Sequence, residues 1–133
     1  MALHINQNSF LDYKKQKFDY NKVYFPTPGM LGTLYVGSDR YTVICLSNDT
    51  PKRISITDFP GESMKEILNN PNIIVDDEGV MMHNDIENFK KKVWKEDIEH
   101  WSLRSNGKWK KMNKDFSGSI HWGIADPYRD PDF

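Results

Sequence analysis

Apolar and polar residues begin to alternate near Gly32, and the pattern there is β. Leu34-Tyr35-Val36 and Tyr41-Thr42-Val43-Ile44-Cys45-Leu46 flank a short turn at Gly37-Ser38-Asp39. Tyr41, Val43 and Cys45 point one way and Thr42, Ile44 and Leu46 the other. Both faces are largely apolar, as in an interior strand. After a loop at Ser47-Asn48-Asp49-Thr50-Pro51, Ile54 and Ile56 alternate with Arg53, Ser55 and Thr57. That alternation predicts a strand buried on one side only.

Two helices are predicted. Pro60-Gly61 precedes Glu62-Ser63-Met64-Lys65-Glu66-Ile67-Leu68, which Asn69-Asn70-Pro71 stops. Asn84 or Asp85 caps the second, which carries Ile86, Phe89 and Val93 on one stripe and leaves Lys90-Lys91-Lys92 largely outside it. Between them, Ile73-Ile74-Val75 and Val80-Met81-Met82 form a short hairpin around Asp76-Asp77-Glu78-Gly79.

A further hairpin is signalled at Trp101-Ser102-Leu103-Arg104-Ser105-Asn106-Gly107-Lys108-Trp109-Lys110, because Asn106-Gly107 suits a two-residue type I′ turn. That register pairs Arg104 with Trp109 on one face and Trp101 with Met112 on the other. Residues 10–25 interleave Phe10, Tyr13, Phe18, Tyr20, Tyr24 and Phe25 with Lys14, Lys15, Lys17 and Lys22. They are either an arm docking on a neighbour or a first strand behind a loose terminus. Pro26-Thr27-Pro28-Gly29 breaks any regular structure. The tail after Ile120-His121-Trp122 is loop-like. The expected architecture is α+β: an antiparallel sheet with two short helices in a single domain spanning 1–133, with 1–28 as arm or first strand and 124–133 as tail.

Composition narrows the function. The chain has 133 residues, enough for one core without covalent staples. The lone Cys45 excludes an intramolecular disulfide, and the scattered His4, His83, His100 and His121 have no zinc spacing, so neither metal nor cofactor is expected. No apolar run approaches the roughly 18 residues of a membrane span, and Met1-Ala2-Leu3-His4-Ile5-Asn6 lacks a signal peptide's apolar segment. A soluble, cytoplasmic protein is expected. Phe, Tyr and Trp make up 13 % of the chain, which argues against disorder. A net charge of −1 excludes a globally basic nucleic-acid binder. The charge is nevertheless uneven. Eight acids face Lys65 alone between Asp58 and Phe89, and nine bases face Glu96, Asp97 and Glu99 between Lys90 and Lys114. Such polarity suits an anion-attracting face, complementary patches between subunits, or merely solvated charge.

There is no Gly-rich phosphate loop, nucleophile elbow or paired-histidine helix. A general-acid role for His100 or His121 needs a partner that the sequence does not identify. Ligand binding has better material. Arg40 leads into an apolar strand, and Trp94, Trp101, Trp109 and Trp122 lie in a stretch rich in Lys and Arg. Flat rings beside guanidinium groups can stack on bases and grip phosphates. The same residues also suit cross-strand packing, with an arginine resting on a tryptophan.

Gly32-Thr33-Leu34-Tyr35-Val36-Gly37-Ser38-Asp39-Arg40-Tyr41-Thr42-Val43-Ile44 resembles the N-terminal signature of a family of small phage and prophage proteins, in which a Ser-Asp-Arg turn enters a Thr-Ile/Val strand. The family's Leu-Arg-x-Asn-Gly hairpin is matched by Ser102-Leu103-Arg104-Ser105-Asn106-Gly107-Lys108-Trp109. Its Tyr-x-Asp-Pro-x-Phe tail is matched by Tyr128-Arg129-Asp130-Pro131-Asp132-Phe133. That family is similar to viral sponges that sequester, without degrading, the cyclic nucleotide signals of the Thoeris and CBASS defences. Such sponges commonly form homo-oligomers with pockets at subunit interfaces.

The resemblance implies that Arg40 contacts phosphate or ribose and that Trp94 or Phe89 stacks on a base. It leaves Arg104 to serve the pocket or merely the hairpin. The candidate ligand-binding residues are Arg40, Tyr41, Phe89, Trp94, Arg104, Trp109, Trp122 and Tyr128. Members often carry basic residues where this chain reads Gly123-Ile124-Ala125-Asp126-Pro127. If those hold a phosphate, this chain takes a different ligand or uses Arg129 or a nearby lysine. The segment 58–93 is also unlike a typical member. The expected partner is thus a small cyclic nucleotide, bound by a homo-oligomer in an infected host's cytoplasm, with no membrane and no long nucleic acid. The rival expectations are a module binding a host protein or RNA through the 90–114 basic face, and a small phosphodiesterase using His100 or His121.

Overall fold

Strand β1 (Leu31–Val36) turns through Gly37-Ser38 into β2 (Asp39–Thr50), with Val36 opposite Asp39. β3 (Arg53–Asp58) returns along β2. These strands come from a computed structural model that describes residues 18–112 and 118–128. Helix α1 (Met64–Leu68) is capped by Ser63, whose hydroxyl accepts from the Glu66 N–H, and Asn69 ends it. A hairpin of β4 (Ile73–Val75) and β5 (Met81–His83) follows, then helix α2 (Ile86–Lys91) behind Asp85. A 3₁₀ turn at Lys95–Asp97 leads into β6 (Glu99–Leu103), β7 (Trp109–Lys111) and β8 (Ser119–Trp122). No described helix is long and apolar enough to cross a membrane.

The main sheet is antiparallel, in the order β7-β6-β3-β2-β1-β8. It curls until β7 approaches β8, giving a nearly closed barrel. This is the expected α+β domain. Register places Gly32, Leu34, Val43, Cys45, Ile54, Ile56, Trp101, Trp109 and Trp122 on one face, and all are buried. A large apolar side chain buried there contributes about 1.5–3 kcal/mol. Gly32 makes room: a Cβ on it would lie 2.8 Å from Trp122 Cε3 and 3.1 Å from Ile120 Cγ2.

Leu31 and Ile44 lie on the opposite face and are fully buried. The β4–β5 hairpin docks there: Met30 bridges Met82, and the His83 N–H donates to the Gly29 carbonyl at 2.8 Å. The tail closes over it, with the Gly123 carbonyl accepting from the Met81 N–H at 2.9 Å and Ile124 and Ala125 buried.

Four expectations change. Ser47 to Thr50, expected as loop, continue β2, with Ser47 opposite Ser55 and Asn48 opposite Ile54. The second hairpin is shifted by one residue: Leu103, not Arg104, faces Trp109, and Lys111 faces Trp101. The Gly107 N–H donates to the Arg104 carbonyl at 2.9 Å, and the Arg104 N–H donates to the Lys108 carbonyl at 2.8 Å. The loop is therefore three residues long, with Gly107 at φ 82° in the left-handed position that follows the turn. Because side chains alternate, this shift puts Trp101 and Trp109 on the same, inner face.

The outer residues of β3 are also covered. Ser55 donates to Asp49 Oδ2 and Thr57 to the Asp97 carbonyl, both at 2.9 Å, so two hydroxyls are buried and satisfied. Finally, the described part of the N-terminal region, 18–29, forms no strand of the sheet and packs on its own chain. Phe10, Tyr13, Lys14, Lys15 and Lys17 lie outside the described residues, as do Lys114 and Arg129-Asp130-Pro131-Asp132-Phe133.

Candidate functional site

Thr33 sits fully buried in β1 and fixes the tail. Its hydroxyl donates to the Ile124 carbonyl at 2.6 Å and accepts from the Asp126 N–H at 3.0 Å. The anchored tail then reaches the start of β2. Arg40 and Tyr128 exchange two backbone hydrogen bonds, the guanidinium carbon lies 5.2 Å from the Tyr128 ring centre, and Arg40 Nη1 is 3.4 Å from Asp126 Oδ2. A pocket of about 190 Å³ opens beside this corner, lined by Tyr41, Thr42, Asp58, Phe59, Pro127 and Tyr128 among others. The Thr42 hydroxyl in its wall is buried with no partner among the described residues.

Electrostatics weigh against phosphate in this pocket. Asp58 and Glu62 line it, and the Arg40 charge is already matched by Asp126, so an incoming anion has to displace a carboxylate. Phe89 backs the pocket without lining it: its ring is 5.6 Å from Phe59 and 5.2 Å from His83. Burial lowers the His83 pKa, opposed by Asp85.

A second cleft, about 270 Å³, lies at the barrel seam between β7 and β8. Trp109 and Trp122 come from the two strands, His121 from β8, and Tyr20, Lys22 and Tyr24 from the arm. Phe18 holds the arm in place: it stacks on Tyr24 with centroids 5.2 Å apart and lies 5.9 Å from His121. Lys22 Nζ pairs with Glu78 at 2.9 Å and sits 5.1 Å from the Tyr24 ring centre. Lys108 adds a second exposed cation to the lining. Trp122 Nε1 and His121 Nε2 are buried with no hydrogen-bond partner among the described residues. Burial lowers the His121 pKa, which favours the neutral ring. Burial raises that of Tyr20, helped by Asp126 and Tyr35 and opposed by Arg40, so the arm lies in the field of the Arg40 corner.

The eight candidate residues therefore divide. Arg40, Tyr41 and Tyr128 come together, and Trp109 and Trp122 share the seam. Arg104 is exposed at the hairpin end and is not paired across the strands with Trp109, contrary to expectation. Trp94 is exposed beyond α2. Trp101 is a core residue whose Nε1 donates to Glu99 Oε1 at 3.2 Å, which is the packing alternative. Tyr20, Lys22, Tyr24, Lys108 and His121 were missed as cleft residues. The only signal was the alternation of aromatics with lysines before Pro26, which gives no hint of where the arm docks.

The two histidines proposed for proton transfer differ. His121 Nε2 is buried. His100 is exposed, with Nδ1 3.3 Å from Ser55 Oγ and 3.8 Å from Asp49 Oδ2. The Ser55 proton is directed to Asp49, so His100 is not placed to activate that hydroxyl as a nucleophile. Burial pushes the Cys45 thiol up to about 12, far from a reactive thiolate. Among the described residues no three His, Cys, Asp or Glu side chains gather as a metal site. The chain matches no protein-family model, no curated protein and no solved structure.

Proposed function

We propose that this chain is a phage-encoded sponge that binds a cyclic nucleotide signal of host defence without degrading it. The supporting observation is the seam cleft, where the exposed Tyr20 ring and the half-buried Tyr24 ring offer aromatic surface above the buried Trp109 and Trp122, and exposed Lys108 offers positive charge beside Lys22, which Glu78 matches. Stacking on such rings is worth about 1–3 kcal/mol per base, and lysines attract phosphate as point charges. The resemblance carried by the Ser-Asp-Arg strand and the Leu-Arg-x-Asn-Gly hairpin supports the class of ligand.

Small-molecule sites usually span about 300–1,000 Å³, so 270 Å³ accommodates one nucleotide unit better than a whole cyclic oligonucleotide. In this reading a second copy of the chain encloses the remainder, which makes the working form a homo-oligomer in the infected cell's cytoplasm. Arg40 then acts by holding Tyr128 and Asp126 rather than by gripping phosphate. A thermal-shift panel of cyclic di- and trinucleotides and cyclic ADP-ribose isomers tests this. One of them stabilises the protein and is recovered intact after heat denaturation. Recovery of a linearised product instead favours the phosphodiesterase reading.

A further inference from the structure

Trp94 differs from the other tryptophans. It is 74 % exposed, whereas Trp101, Trp109 and Trp122 are 0 %, 8 % and 4 % exposed. An exposed indole alone needs no explanation, but one set among several exposed cations has the composition of a single-strand stacking site. The segment is ordered: Trp94 caps the 3₁₀ turn, and its carbonyl accepts from the Asp97 N–H at 2.9 Å. Lys91, Lys92 and Lys95, all exposed, lie within three residues of Trp94 along the chain. Lys90 pairs with Glu87 at 3.6 Å, and Lys90 and Lys91 complement the α2 C-terminus. Neither role accounts for Lys95 or for the bare indole. Glu96 and Asp97 follow, so the local field is only modestly positive and stacking has to contribute.

We propose that Trp94, with Lys91, Lys92 and Lys95, binds single-stranded nucleic acid, the indole stacking on an unpaired base and the ammonium groups meeting flanking phosphates. A duplex offers no free base face at this ring. A lipid surface fits poorly, because membrane-surface helices insert a whole apolar face. The other exposed large hydrophobic residues, Tyr20, Val23, Phe25 and Tyr128, lie outside this segment. The site is separate from the seam cleft and does not depend on the sponge reading. It departs from the expectation that no long nucleic acid is bound.

Fluorescence anisotropy with a labelled oligodeoxythymidine tests it. Saturable binding is expected at low salt, with tryptophan quenching and a log–log salt slope of about −2 for three cations. Trp94→Ala should weaken binding about 5- to 150-fold, and Lys92→Glu with Lys95→Glu should weaken it further while circular dichroism stays unchanged. Absence of binding at low salt overturns the proposal. So does a Trp94→Ala protein that binds like the wild type, or a response to phosphatidylserine vesicles but not to the oligonucleotide.

Discussion

Arg40 and Tyr128 are joined twice, by reciprocal backbone hydrogen bonds of 2.7 and 2.9 Å and by the guanidinium resting 5.2 Å from the ring centre. The tail reaches this position because Thr33 holds Ile124 and Asp126. Replacing Thr33 with Val keeps the shape, removes the hydroxyl, and strands a buried carbonyl and a partly buried N–H. A loss of about 1–3 kcal/mol is expected, read as a lower urea midpoint with unchanged slope. Faster hydrogen exchange at the Asp126 amide should accompany it, whereas an unchanged midpoint removes Thr33 from this role.

Gly32→Ala should disturb the barrel interior. The added methyl meets Trp122 and Ile120 rather than a flexible chain end, and overpacking of this kind costs about 1–3 kcal/mol. Near-ultraviolet circular dichroism and Tm report the Trp122 displacement, and a wild-type spectrum with an unchanged Tm contradicts it.

Acid should weaken the fold through His83 and His121. Both have folded pKa values lowered from 6.5 by burial. Their contribution is present above 6.5 and is lost as the pH falls below it, because the unfolded chain then binds more protons. Denaturation midpoints measured from pH 7.5 down to about pH 5 should fall, and the double replacement of His83 and His121 by Gln should flatten that limb.

Cys45 is fully buried with its thiol pushed up to about 12. A thiol reagent should label it only when the chain opens, at a rate that follows denaturant-induced unfolding. Rapid labelling of the native protein contradicts this placement.

Much of the sheet was legible because period-two alternation and turn residues are local signals. Val43 and Ile44 marked an interior strand, and Asn69 and Asp85 marked helix ends, whereas the Ser63 cap was read as part of its helix. The hairpin register was not legible, because Gly107 serves equally as the second residue of a type I′ turn or as the left-handed residue after a three-residue loop. Only packing of Trp101 and Trp109 on one face decides between them. Burial of Ser55 and Thr57 depended on partners elsewhere in the chain, Asp49 and Asp97. The seam cleft was the least legible part, since it forms where the arm meets β7 and β8, and no spacing in the sequence records that meeting. Arg40 became a ligand candidate through its place before an apolar strand and through the resemblance; its carboxylate partner, Asp126, was not legible because it lies far along the chain.

The most direct measurement is binding of cyclic nucleotides to the wild type, to Tyr20→Ala and to Lys108→Glu, with the bound compound identified afterwards. Both residues are exposed in the cleft lining, so the variants are expected to fold normally. At a hundredfold excess over Kd, the wild type should gain about 2.7 kcal/mol, or about 10 °C in Tm. The guest should be released unaltered, and both variants should lose most of the shift. A panel in which no cyclic nucleotide raises the wild-type Tm, or in which both variants respond like the wild type, contradicts the account.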